Sequence, residues 1–344
     1  MTDETLPRVT AVMLAWGDEP VLVEAVRAVL ASTGVSADVV LVDNGCTSDA
    51  VRILADEPGV TVVNPGSNTG FAGGCNVGAK QATGVFLAFV NGDAVVRPDA
   101  IAALARVAAD DGVGLASGSL RLYDEPEVMN SAGNPIHFSG LSWAGGLGEP
   151  ASAHAKSVDV ASATGAAVVC RADRYAELGG FCEPMFAYCE DAELSLRCWQ
   201  RGWRVVYVPE AVVLHRYEFS RNDQKFYLLE RNRLFLLLTL FERRTLLVIL
   251  PALLGLELAM LAVAARGGWW RQKVAGWRWL LRNRDVVRSR RTEVQAARTV
   301  PDAGVLPLLT GDFAPGDSTG IAAPAPLRYG SRAYWSAARR LLIR

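Results

Sequence analysis

Asp93 ends the string Val85-Phe86-Leu87-Ala88-Phe89-Val90-Asn91-Gly92-Asp93, and far along the chain Glu190 and Asp191 stand side by side at the start of an amphipathic pattern. Six apolar residues in a row are the pattern of a strand covered on both faces, and open α/β sheets bind ligands beyond the carboxyl ends of such strands. A carboxylate placed there can hold a divalent cation against a diphosphate, while an acidic pair facing it can take a proton from an incoming hydroxyl. Acids are also favoured in the first turns of helices for their charge alone, although capping needs only one.

Two turns add polar groups at comparable positions. Asp43 stands at the end of a second apolar run and opens Asp43-Asn44-Gly45-Cys46-Thr47-Ser48. It can accept from a base imide or a ribose hydroxyl, but Asp-Asn-Gly is also an ordinary turn. Asn68 and Gly70 belong to Asn68-Thr69-Gly70-Phe71-Ala72-Gly73-Gly74-Cys75-Asn76-Val77-Gly78, whose glycines let backbone approach a ligand ahead of a helix N-terminus. Its spacing is neither that of a P-loop nor that of a dinucleotide fingerprint.

The elements that must carry these residues alternate. Strand patterns cover residues 9–15, 39–42, 61–63 and 85–90, and helix patterns cover 20–31, 48–55 and 74–82, with a further helix opened by Pro98 and Asp99. Alternation of this kind predicts an α/β fold with a doubly wound, mostly parallel sheet. Residues 120–157 break into Gly, Ser and Pro, a stretch long enough to be an acceptor loop or lid. Residues 166–170 and 205–208 read as further strands, and Trp199 and Trp203 as core.

With 344 residues and 51% hydrophobic content, the chain can bury one large domain and a second unit. A net charge of -1 conceals an asymmetry, since residues 1–200 hold 11 Lys and Arg against 25 Asp and Glu, while 201–344 hold 24 against 11. The split suggests an acidic, metal-using half and a basic half that meets an anionic surface, unless the basic residues only solvate helix faces. The six cysteines form no CxxC pair and read as reduced packing thiols. Met1 to Glu4 lack the charged and apolar start of a signal peptide, so the catalytic half is expected in the cytosol.

Five motifs taken together resemble family 2 glycosyltransferases of the GT-A fold, in the branch of bacterial rhamnosyl- and galactofuranosyltransferases. They are Val42-Asp43-Asn44-Gly45, the run Asn68 to Asn76, Phe89-Val90-Asn91-Gly92-Asp93, the group around Gly180-Phe181, Tyr188 and Glu190-Asp191 to Arg197, and Val213-Leu214-His215. The similarity covers roughly residues 8–235. It implies that Asp43 meets the nucleoside, that Asn91 and Asp93 stand in the DXD-type motif, and that His215 joins Asp93 on Mg²⁺ or Mn²⁺. Asn at the first DXD position leaves one carboxylate there for the ion. It further implies that Asp191 is the base for a single inverting displacement, with Glu190 as orienting or acceptor-binding partner, and that the donor is a dTDP- or UDP-linked sugar, rhamnose first.

Beyond the catalytic region, taken as 1–235, residues 236–300 form an apolar and basic helical region and 301–344 a loosely ordered linker and a basic, aromatic tail. Residues 245–265 are long and apolar enough to span a bilayer, but Pro251 and Glu257 interrupt them and basic residues flank both ends. Trp269, Trp270, Trp277 and Trp279 mixed with Arg278, Arg282 and Arg284 fit a monotopic platform in the headgroup region, with a buried helical hairpin as the alternative. The expectation is a glycosyltransferase at the cytoplasmic face of the cell membrane, working on a glycan or polyprenyl-linked acceptor, with no nucleic acid as partner. A non-catalytic nucleotide-sugar-binding or scaffold subunit is the competing class.

Overall fold

The computed structural model describes residues 6–216, 224–313 and 325–343. The N-terminal expectation concerns Met1 to Glu4, which lie outside them. The chain alternates β1 (Arg8–Gly17), α1 (Leu22–Leu30), β2 (Ser36–Cys46), α2 (Ala50–Leu54), β3 (Val60–Val63), α3 (Gly70–Ala79), β4 (Phe86–Val90), β5 (Ala94–Val96) and α4 (Ala100–Ala108). It continues through β6 (Val113–Leu122), β7 (Met129–Ser131), β8 (Val158–Asp159), β9 (Ala167–Arg171), α5 (Ala172–Leu178), α6 (Glu190–Gln200) and β10 (Arg204–His215). The sheet order is β3-β2-β1-β4-β9-β6-β10-β5, with β7 on β6 and β8 on β10.

Strands β3, β2, β1 and β4 are parallel, as are β6 and β10, while β9 enters antiparallel between β4 and β6. Period-2 alternation explains why the sheet is covered on both faces. In β1, Val9, Ala11, Met13 and Ala15 belong to the core layer that holds α1 and α4, and Val12 belongs to the opposite layer with α3 and α6. In β4, Phe86, Ala88 and Val90 face the first layer, and Leu87 and Phe89 the second. Trp203 is buried, and Trp199 packs beside it with its indole N–H on the Val160 carbonyl at 3.1 Å. All six cysteines are free thiols.

Two expectations need correction. The third helix starts at Gly70 and ends at Ala79, several residues earlier than the glycines suggested, because polar side chains described below fasten its first turn. Residues 301–313 are not a loose linker. Here α11 (Asp302–Val305) and the turn after it bury Val305, Leu306 and Leu309 against Phe235, Phe241 and Ile249. The rest of the expected linker, 314–324, lies outside the described residues. The 120–157 stretch is also largely tied down. Beyond β7 it makes bridges Val128 to Pro150, Asn134 to Ser162 and Ile136 to Ser142.

Five further helices follow among the described residues: α7 (Lys225–Leu240), α8 (Arg243–Arg266), α9 (Trp270–Arg282), α10 (Arg284–Ala297) and, after α11, α12 (Ala325–Ile343). They share one apolar core with the back of α6, and Trp335 of α12 stacks on Phe138 with ring centroids 5.0 Å apart. Glu257, the charge inside the apolar α8, turns inward. It pairs with Arg233 of α7 and with Lys273 of α9 at 3.0 Å, and accepts from the Trp277 indole at 2.7 Å. Glu230 completes the cluster by pairing with Arg233 at 3.0 Å and with Lys273. Three buried charges and the partly buried Glu257 satisfy one another where a lone buried one would be costly.

Candidate active site

The carboxyl ends of β1, β2 and β4 open on one side of the sheet, and the expected residues gather there. After β4 the chain turns through Asn91 and Gly92, and Asp93 lies beside the end of β10 because β5 and β10 pair with Ala94 opposite His215. Asp93 Oδ1 is 3.2 Å from His215 Nε2. On its other side, His215 Nδ1 lies 2.8 Å from Asn130 Oδ1 on β7. With Nδ1 donating to that carbonyl, the Nε2 lone pair faces the Asp93 carboxylate, which is how a second partner orients a metal-ligating imidazole. Neighbouring ligands in an octahedral shell stand roughly 3 Å apart, so this pair fits two positions around a divalent cation. No group of three or more His, Cys, Asp or Glu that could hold a metal occurs among the described residues.

Asp43 has a local task. Its Oδ1 accepts from the Gly45 and Cys46 amides at 3.3 and 3.1 Å, and its Oδ2 accepts from Asn64 at 3.1 Å, which shapes the turn after β2. Trp16, at the end of β1, is 45% exposed close to Gly45. Buried Asn44 proves as important as its neighbour. Its Oδ1 accepts from Thr69 N at 2.9 Å and its Nδ2 donates to the Gly70 carbonyl at 3.0 Å, while Asn68 Oδ1 accepts from Gly70 N at 2.8 Å. These bonds fasten the start of α3. Gly70 has φ +72°, and a Cβ there would lie 2.4 Å from the Phe186 carbonyl. Only glycine fits that close approach.

Phe186 begins the most strained segment of the fold. Phe186, Tyr188 and Cys189 are the non-glycine residues of positive φ among the described residues, at +65°, +68° and +65°, and they directly precede Glu190 and Asp191. Each such conformation costs about 1–3 kcal/mol and survives only where surroundings impose it. Ala72 N donates to the Phe186 carbonyl at 3.0 Å from one side.

Asp191, in the first turn of α6, accepts from Gly165 N at 3.2 Å and from Ala192 N at 2.8 Å. The adjacent Ala166 carbonyl accepts from Asn91 N at 3.0 Å, so residues 165 and 166 tie the acidic pair to the Asn91–Asp93 turn. Glu190 is buried, and its Oε2 has no hydrogen-bond partner. Burial, and then the Asp191 charge, push the Glu190 carboxyl well above the usual range. Burial also raises Asp191, against the opposing pull of the Ala192 and Gly165 amides. Both carboxyls are thus raised by burial, Glu190 further because Asp191 stands beside it, while Asp191 alone of the two accepts from the Gly165 amide. Farther along α6, Glu193 is fully buried between Arg197 and Arg290, both at 2.7 Å, and Arg197 also donates to the Leu178 and Gly180 carbonyls. That end of the motif holds the fold together.

An open sheet with polar turns at its carboxyl edge and a carboxylate pair across from them is the architecture of GT-A glycosyltransferases. Residues 7–234 match the family described as "Glycosyltransferase like family 2", and the chain belongs to it. Among curated proteins it is 34% identical over 138 residues to succinoglycan biosynthesis protein ExoO of Rhizobium meliloti (strain 1021), covering 36% of this chain and 39% of that one. It is 42% identical over 52 residues to an N-acetylglucosaminyl-diphospho-decaprenol L-rhamnosyltransferase of Mycobacterium tuberculosis (strain ATCC 25618 / H37Rv), covering 15% of this chain and 17% of that one. The matches thus span well under half the length of either relative. The structure of GalNAc-T7 with UDP, GalNAc and Mn²⁺ superimposes with a TM-score of 0.60 at 18% identity, over 70% of this chain and 49% of that chain, a likeness of fold.

Proposed function

We propose that this glycosyltransferase is metal-dependent and inverting, and that it moves a sugar, rhamnose first, from a dTDP- or UDP-linked donor to a glycan or polyprenyl-linked acceptor. The observation that carries the reading is the arrangement of the Asp93–His215 pair and Asp191 at one edge of the sheet. Mg²⁺ or Mn²⁺ held by Asp93 and His215 would supply charge neutralisation for the departing diphosphate. Asp43 and Trp16 border the nucleoside end, and Asn68, Gly70 and Asn91 line the turns that face the donor. Asp191 accepts the proton of the acceptor hydroxyl, whose oxygen bonds the anomeric carbon as the bond to the diphosphate breaks on the opposite face. Glu190 beside it is the orienting or acceptor-binding partner. The Mn²⁺ in the GalNAc-T7 structure and the lipid-linked acceptor in the mycobacterial relative's name support the reading. A thermal-shift screen of nucleotide sugars with and without Mn²⁺ tests it. A ligand at a hundred times its Kd stabilises the folded state by about 2.7 kcal/mol. A dTDP- or UDP-sugar should raise Tm, and more so with Mn²⁺. Silence from every nucleotide sugar in both conditions would overturn the assignment.

The same proposal places the enzyme on the cytoplasmic face of the membrane, lying on it. Helix α8 is long and apolar enough to cross a membrane, yet its inner side is committed to Glu257 and its partners. Its outer side offers Leu247, Leu254 and Leu258, the first and last 69% exposed. Arg278, Arg282 and Arg284 are exposed on the neighbouring α9 and α10. Near an anionic surface each basic residue contributes roughly 1 kcal/mol. Replacing the three arginines with alanine should lower binding to anionic liposomes by about two decades in co-sedimentation, with the loss shrinking as salt rises. Equal binding to neutral and anionic vesicles at every salt concentration would refute the electrostatic share.

A further inference from the structure

The strained segment before Glu190 is held from the helical layer chiefly by two neighbouring side chains of α7, Asn232 and Arg231. Asn232, 1% exposed on α7, donates its Nδ2 to three carbonyls, those of Met185 at 2.8 Å, Ala187 at 2.8 Å and Tyr188 at 2.7 Å. An amide nitrogen has two hydrogens, so it serves three acceptors only by sharing. The carbonyls it gathers are displaced from any regular ladder by the turn at Phe186, where Ala187 N bonds back to the Met185 carbonyl at 2.8 Å and φ, ψ are +65° and −67°. That is a γ-turn of the rare, strained hand.

The amide itself is aimed. Arg231 Nε donates to Asn232 Oδ1 at 2.8 Å, which turns the NH₂ toward the loop, and Arg231 Nη2 reaches the Pro184 and Met185 carbonyls at 2.9 and 2.7 Å. Arg231 in turn lies over the Trp279 ring of α9, 4.6 Å from its centre. A continuous set of contacts therefore runs from α9 through Arg231 and Asn232 to the backbone that delivers Glu190 and Asp191. Opposite, the loop meets Gly70 and Ala72 of the donor-side turn. Non-glycine left-handed backbone that, among the described residues, gathers next to the acidic pair and is countered by a buried amide is the signature of a backbone shaped for function.

We infer that Asn232 is a positioning residue for the transfer reaction, holding residues 185–189 in their strained form so that Asp191 faces the acceptor hydroxyl. The inference rests on the reading of Asp191 as base. Its consequence is selective. A misplaced base lowers the rate of the chemical step while leaving donor contacts, made by the other turns, in place.

The test uses the full chain. Asn232→Ala removes all three bonds, Asn232→Ser keeps one short donor, and Asn232→Ala with Cys189→Gly relieves a left-handed position that an L side chain resists. Turnover, read as release of UDP or dTDP from the nucleotide sugar chosen by thermal shift, should fall about 10²-fold in Asn232→Ala. Donor KM and the calorimetric affinity for UDP or dTDP with Mn²⁺ should stay within about twofold. Adding Cys189→Gly should return about tenfold of the loss, because glycine takes that backbone conformation without strain. Amide hydrogen exchange of residues 186–190 should rise in Asn232→Ala whatever the substrate is.

Turnover within about threefold of the parent, or a loss that Cys189→Gly does not reduce, would overturn the inference. So would unfolding of both Asn232→Ala and Asn232→Ser, since the contact would then serve stability. Asp191→Asn run alongside separates the two readings. If it stays active, the base assignment fails by itself, and the exchange data still judge whether Asn232 holds the loop.

Discussion

Asp191→Asn is expected to lower turnover by about three decades or more while nucleotide and metal binding stay near parental values. General base catalysis contributes about 10²- to 10⁴-fold, and an amide of the same shape can keep the contact with Gly165 N but cannot take a proton. The residue acts on the acceptor alone, so its loss falls on the chemical step. Steady-state release of nucleoside diphosphate, paired with calorimetric titration of UDP or dTDP in the presence of Mn²⁺, separates the two effects. The pH profile adds a second check. Burial raises the Asp191 carboxyl, and a base must be ionised, so the rate should drop with falling pH at a point above the ordinary aspartate range. Turnover above a tenth of parental in Asp191→Asn would remove it from the role.

Asp93→Ala should show the opposite division. Here the expected loss is in Mn²⁺-dependent affinity for the nucleoside diphosphate, by about 10²-fold or more, because ligand removal exceeds the 10- to 100-fold typical of groups that only orient a ligand. His215→Ala should follow it, and Asn130→Ala, which removes the carbonyl beside Nδ1, should cost about tenfold. Titration in EDTA distinguishes this from a simple loss of nucleotide contact, since parent and variants should then converge. Unchanged Mn²⁺-dependent binding in His215→Ala would leave the imidazole with a packing role only.

Much of this arrangement was legible in the residues. Apolar runs and turn chemistry located the strands β1, β2 and β4, whose ends open on the site, and the acid pair at the start of α6, because those signals are local. The orientation of β9 was not. A five-residue apolar run reads alike in either direction, and only pairing with β4 and β6 decides it. The start of α3 was misjudged because Asn44 and Asn68 fasten Gly70 through contacts that join two separate turns. Residues 301–313 look like linker by composition, yet Leu306 and Leu309 find a core supplied by α7 and α8, which no window along the chain reveals. Asn130, Arg231 and Asn232 were missed for the same reason. Their partners are backbone carbonyls or side chains brought close only by tertiary folding, and an asparagine inside a helix carries no outward sign of such a task.

The carboxylate of Glu257 also limits how the protein can be made and moved. A helix inserted across a bilayer during synthesis enters before its neighbours have folded, and it would take that acid into hydrocarbon without Arg233 and Lys273. Placing a carboxylate at the bilayer centre costs about 2.5–3.5 kcal/mol even on the scale most lenient to it. Once the cluster has closed, drawing α8 out would leave Arg233 and Lys273 sharing the single carboxylate of Glu230. On the membrane-surface reading proposed above, assembly would run in one order, with the helices gathered first and lipid met afterwards by a finished surface. On that reading, enzyme loaded on one population of vesicles should redistribute to a second, whereas a protein anchored by a spanning helix would stay with the first.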